Sequence, residues 1–148
     1  MGAVQKEEFL IFNMLGVAYG IRLTRIREIL TFTGQITPLP NNPEWVRGVI
    51  NLRGEVTPVI DFRLKFSSIR QLYDEETIII ALRLPQDRMM AIVVDNIESI
   101  TELEAAKAEK APDIGCAIEL RVVEGLIRVG GEMVTLLDVD ALTDLNEI

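Results

Sequence analysis

The chain of 148 residues predicts an all-β fold with short helices, arranged as two small barrels packed on one another. Three observations carry this. Apolar runs of strand length, such as "EFLIFNM" (8–14) and "TIIIALRL" (77–84), are separated by turn residues rather than by helical patterning. A block near the middle of the chain recurs near its end. Finally, half the chain lies close to the size of roughly 70 residues below which a unit struggles to bury a sufficient core alone, so two such halves are expected to pack on one another.

The elements follow in order. Gly16 separates "EFLIFNM" from "VAYGI" (17–21), and the two predict a hairpin. In "LTRIREIL" (23–30), Leu23, Ile26, Ile29 and Leu30 fall at helical spacing behind Thr24 as a possible N-cap, which predicts a helix of at most two turns. Pro38, Pro40 and Pro43 mark a connector, because proline lacks the N–H and the freedom in φ that a helix interior needs. "RGVINLRGEVTPVID" (47–61) predicts a second hairpin, and "FRLKFSSIRQLYDEE" (62–76) a loop or short helix. Strands are expected in 77–84 and 89–103 around the turn "PQDR", and 104–111 is mildly helical by propensity. Gly130-Gly131 sits between two β-prone arms and gives the clearest hairpin signal. "DVDALTDL" (138–145) predicts a short terminal helix capped by Asp138 or Asp140.

The repeat becomes visible when 48–64 is written over 125–141. Five of the seventeen positions are identical: Gly48/Gly125, Ile50/Ile127, Gly54/Gly131, Glu55/Glu132 and Asp61/Asp138. Val56/Met133 and Val59/Leu136 are apolar exchanges, and upstream 19–29 lies over 90–100 with Ile26 on Ile97 and Ile29 on Ile100. Chance similarity between two buried hairpins is the competing explanation, but the shared order of both matches favours duplication.

Composition narrows the chemistry. A net charge of −8 repels nucleic acid and anionic membrane, so neither is an expected partner. No apolar run reaches the ~18 residues of a membrane span, the start has no apolar signal segment, and a single cysteine, Cys116, fits a reducing compartment. A cytoplasmic protein is expected. Histidine is absent, which removes the commonest general base and metal ligand. "RGVINLRG" lacks the Gly-Lys-Ser/Thr that a phosphate loop carries into a helix. Cys116 has no histidine beside it to act as base, and Met89, Met90 and Met133 read as core. No catalytic residue, metal site or cofactor is expected.

Arg53 occupies the place of Gly130 in the repeat. Arginine takes positive φ less readily than glycine, so turn chemistry alone does not select it. It is either a partner-docking residue, its fork suited to carboxylates and carbonyls, or one solvated charge among fifteen. The spacing of Ile26 and Ile29 favours core.

The blocks "EFLIFNMLGVAYGIRLTRIREIL", "ITPLPNNPEWVRGVINLRGEVTPVIDFRLKF", "AIVVDNIESI" and "VEGLIRVGGEMVTLLDVDAL" together resemble the CheW-type chemotaxis coupling proteins. The resemblance covers essentially the whole chain. It implies one domain over 1–148 made of two SH3-like five-stranded barrels, about 1–75 and 76–148, with exchange of a strand or helix at the ends and a short C-terminal helix. It implies a non-enzymatic adaptor, recruited to membrane-associated arrays, that joins the tips of methyl-accepting chemoreceptors to the regulatory domain of the histidine kinase CheA. By motif position, Ile26, Glu28, Ile29, Arg53 and Ile78 would face the receptor. Gly48, Gly54, Gly130 and Gly131 would be structural turn residues. No motif assigns the kinase contacts. Adaptors of twitching-motility systems share the domain and are the alternative, and a small ligand-binding barrel or enzyme using the groove between the barrels is a more distant one.

Overall fold

In the computed structural model, which describes residues 5–32, 36–66, 73, 76–110 and 120–145, two five-stranded sheets carry the fold. Their strands are β1 (Glu7–Met14), β2 (Val17–Arg22), β3 (Ile26–Thr31), β4 (Val46–Leu52), β5 (Glu55–Ile60), β6 (Ile78–Arg83), β7 (Met89–Val94), β8 (Asn96–Leu103), β9 (Val123–Val129) and β10 (Glu132–Leu137). Two short helices, α1 (Phe62–Phe66) and α2 (Val139–Leu145), follow β5 and β10. The fold is mostly β, and the SH3-like description fits both sheets. Cys116 lies outside the described residues.

The sheets do not follow a division at residue 75. One sheet has the order β8-β1-β2-β10-β9 and the other β3-β6-β7-β5-β4. Each half of the chain therefore gives two strands to one sheet and three to the other. The exchange joins the halves through antiparallel pairing of β1 with β8 and of β3 with β6, and through two short parallel ladders, Ala18–Gly20 beside Val134–Leu136 and Val59–Ile60 beside Ala91–Ile92. The register repeats: Gly20 opposes Leu136 as Ala91 opposes Val59, pairs that the sequence duplication places on each other.

"LTRIREIL" is not a helix. Leu23–Arg25 forms one 3₁₀ turn, and Ile26–Thr31 is strand β3. The misleading spacing has a physical cause. Ile26 opposes Leu82 and Glu28 opposes Ala81, leaving Arg27 as an extra residue in a bulge. A bulge shifts the two-residue alternation by one, so side chains three apart share a face of the strand as they would on a helix. The same bulge recurs in the second copy, where Ile97 opposes Phe12 and Ser99 opposes Ile11 around an unpaired Glu98. The mildly helical 104–111 likewise gives one 3₁₀ turn, Ala105–Lys107.

Both faces of each sheet are covered, which is why "FLIF" and "IIIAL" read as continuous apolar runs. Between the sheets, Leu10, Phe12 and Ile21 pack against Ile60, Ile80, Leu82 and Ile92, together with Val139 and Leu142 of α2. The outer faces bury their own clusters, one around Val59, Ile79 and Val93 and one around Phe9, Ile11 and Leu136. Met90 is core as expected, but Met133 is exposed.

A buried ion cluster ties the sheets together. Arg63, with 1% of its side chain exposed, donates through Nε and Nη2 to Asp61 at 2.9 and 2.8 Å and through Nη1 to Asp95 at 2.5 Å. Asp95 Oδ2 accepts from the Leu15 N–H at 2.9 Å in the β1–β2 turn, so the cluster reaches from one sheet to the other. Burial works against the Arg63 charge, but its bonds to Asp61 and then Asp95 outweigh this and hold its pKa above the ordinary value. The Tyr73 hydroxyl donates to Asp61 at 3.1 Å, and burial, followed by the Asp61 charge, pushes its pKa up to about 12. Asp61 and Asp138, identical in the repeat, also accept from the first-turn N–H groups of α1 and α2.

Gly48, grouped with the turn glycines from sequence, lies instead inside β4 beside a bulge, at φ +138. A Cβ there would stand 2.1 Å from the Thr37 carbonyl oxygen, because the proline connector crosses at this point and pairs Thr37 with Val49. Gly48→Ala is expected to lower unfolding free energy by about 3 kcal/mol or more. Gly130→Ala, at φ +56 with open space around it, should cost only about 1 kcal/mol; paired denaturant titrations check the difference. Arg63→Met leaves two carboxylates without their buried cation and should cost about 3–5 kcal/mol in the same measurement.

Candidate functional site

Of the five residues assigned by motif to a receptor surface, three share one face of the β3–β6 edge, and Glu28 lies on the other face beside Arg53 of the β4–β5 turn. Directly opposed residues on neighbouring antiparallel strands point to the same side. Ile26 opposes Leu82, Ile29 opposes Ile80 and Thr31 opposes Ile78. Leu82 and Ile80 belong to the core between the sheets, so Ile26, Ile29 and Ile78 share the inter-sheet face at the outer edge of the β3–β6 pair. Ile26 and Ile78 are half-buried against that core, whereas Ile29 is 41% exposed. The expectation of core thus holds for most of Ile26 and fails for Ile29.

Glu28 and Arg53 lie on the other side of β3. Glu28 opposes Ala81, which points away from the inter-sheet core. Arg53 stands at the tip of the β4–β5 hairpin, 72% exposed, with Nε 3.7 Å from Glu28 Oε2. At that distance the two attract as charges without a hydrogen bond. β3 and β4 are the two edge strands of this sheet, and the pair spans them. A cavity of about 360 Å³ opens beside it between the same strands, lined by Leu30, Ile36, Ile50, Leu52 and Ile79.

The turn geometry decides how Arg53 is held. Arg53 and Gly54 have φ +50 and +87, nearly the values of Gly130 and Gly131 at +56 and +87. Both hairpins are two-residue turns with positive φ at each central position. Arg53 itself therefore carries the left-handed conformation. Leu15 does the same ahead of Gly16, and there its N–H is held by Asp95. What distinguishes Arg53 is its exposure and its carboxylate neighbour.

Polar contacts that sequence reasoning missed surround the start of β3. Arg22 donates to Glu124 at 2.6 and 2.8 Å and to Glu7 at 2.5 Å, and the bonds to Glu124 first, then Glu7, raise its pKa against the effect of burial. Arg25 donates to Asp140 at 2.5 Å and to the Arg83 carbonyl at 2.9 Å. Each joins residues far apart in the chain, and no local pattern announces them. Exposed apolar side chains besides Ile29 also went unread: Ile100, at the repeat position of Ile29, is 54% exposed, and Val56 and Met133, which match one another, are 72% and 42% exposed. Retention of an apolar residue at the same position of both copies was the available signal. Among the described residues no group of three acidic or cysteine side chains could hold a metal, and no helix is long and apolar enough to cross a membrane.

The model of the CheW-like domain matches residues 8–147. The chain belongs to the CheW family. It is 35% identical over 147 residues to the chemotaxis protein CheW of Klebsiella aerogenes, covering 99% of this chain and 87% of that one. It is 30% identical over 141 residues to the chemotaxis protein CheW of Bacillus subtilis, covering 93% and 87%. The crystal structure of the scaffolding protein TtCheW from Thermoanaerobacter tengcongensis shares the fold, with a TM-score of 0.83 at 23% identity over 93% of this chain and 88% of that one.

Replacing Arg53 of this CheW-family chain by glycine should relieve the left-handed backbone and raise stability by about 0.5–1 kcal/mol. An upward shift of the denaturation midpoint at unchanged slope checks this.

Proposed function

We propose that this chain is a non-enzymatic chemotaxis adaptor that couples methyl-accepting chemoreceptors to the histidine kinase CheA. Family membership supports the adaptor role. The observation that carries the receptor side is the edge of the β3 sheet, where an exposed Ile29 lies beside half-buried Ile26 and Ile78 on one face of the edge and Glu28 lies on the other, next to Arg53 of the β4–β5 turn. An apolar strip with an adjacent charge pair suits a helical tip that buries a few apolar side chains and sets its register by charge. Such contacts are small. Their strength in the cell would come from arrays, where linked sites raise the effective concentration of each partner.

Arg53→Glu reverses the exposed charge and places it against Glu28. Receptor binding should fall by about tenfold or more, with kinase binding and the circular-dichroism spectrum unchanged. Co-sedimentation of the variant with receptor fragments and kinase measures both contacts at once. A fully assembled ternary complex would remove Arg53 from the receptor surface.

A further inference from the structure

The chain crosses from one sheet to the other once in each half, at Leu23–Arg25 between β2 and β3 and at Asp95 between β7 and β8. At both crossings a charged residue pairs with the second residue of the helix that follows the other half's last strand. Asp95 pairs with Arg63 of α1, and Arg25 pairs with Asp140 of α2. The polarity is reversed between the copies, and so is the environment. Arg63 and Asp95 are 1% and 23% exposed, whereas Arg25 and Asp140 are 28% and 55% exposed. The first pair is part of the buried cluster. The second is near the surface, where an ion pair adds little to stability and yields to salt.

We propose that Arg25 is a positioning residue for receptor docking, holding the start of β3 through α2. Its guanidinium binds Asp140 and, through Nε and Nη2, the Arg83 carbonyl at 3.2 and 2.9 Å, joining the C-terminal helix to the end of β6. The next residue is Ile26. The bulge at Arg27 interrupts the β3–β6 ladder immediately afterwards, so the strand's entry is held from the Arg25 side rather than by continuous pairing. α2 is in turn seated in the inter-sheet core by Val139 and Leu142. Arg25 thereby sets Ile26 and Ile29 relative to both sheets. This inference rests on the reading of the β3 edge as the receptor surface.

The test uses the full chain with a soluble receptor cytoplasmic fragment and, separately, the CheA regulatory domain. Arg25→Met and Asp140→Asn should each weaken receptor binding about two- to fivefold, the size of effect an exposed pair exerts. The double variant should be no weaker than the worse single one, and kinase affinity and the unfolding midpoint should stay unchanged. Raising salt should weaken the original chain toward the Asp140→Asn value. Additive losses, or a loss confined to Arg25→Met, would mean that Arg25 touches the receptor itself and overturn a positioning role. If Arg25→Met loses cooperative unfolding, Asp140→Asn decides alone, and unchanged receptor affinity in it overturns the proposal. Ile26→Ala is the control: if it leaves receptor binding intact, the receptor surface itself has been misplaced, whereas an effect of Ile26→Ala with none from Asp140→Asn defeats only the role of Arg25.

Discussion

Two parallel ladders of two or three residue pairs each complete the two five-stranded sheets. Without the contact of β2 with β10, one sheet separates into three strands and two. Without the contact of β5 with β7, so does the other. Parallel pairing is slightly weaker per residue than antiparallel pairing, so these ladders depend on the apolar layers above and below them. Leu136 beside Gly20 and Val59 beside Ala91 are fully buried, and each small residue admits the larger one across the ladder. In the first case a Cβ on Gly20 would stand 2.9 Å from the Leu136 side chain.

Exchange of strands brings a second requirement, since the chain has to pass between sheets without leaving buried polar groups unpaired. The crossing at Asp95 is satisfied by the Leu15 N–H, by Arg63 and by its own N–H to the Asn13 carbonyl. Arg63 reaches full burial only because two carboxylates surround it. Such a cluster is costly to break and adds little over an apolar core of the same shape, so its contribution lies more in fixing how the sheets meet than in net stability. The equivalent crossing near Arg25 uses a more exposed pair, and that is the side on which β3, the strand proposed to face the receptor, begins.

Function of this kind does not require a cavity or a perturbed nucleophile. It requires surface side chains held in fixed relation by a rigid scaffold. Here the bulge at Arg27 places Ile26 and Ile29 on one face, and a two-residue turn projects Arg53 toward Glu28 from a strand at the opposite edge of the sheet. The second copy keeps the bulge and the turn but has Ser99 and Gly130 in place of the charges. The duplication separates scaffold from specialisation at these positions.

Much of this was legible in the sequence. The hairpins at Gly16, Gly54 and Gly131, the proline connector, the cap at Asp138 and the duplication all follow from turn chemistry and from two-residue alternation, which are local properties. The strip of Ile26 and Ile29 was visible too, but as a helix, because a strand bulge and a helical turn give the same three-residue spacing. What only the tertiary structure decided was which strands share a sheet, which face each strip occupies, and that Arg63, Asp95, Arg25 and Asp140 meet. Those outcomes join residues from 32 to 115 positions apart, and no periodicity within a window of ten or fifteen residues encodes a partner that distant.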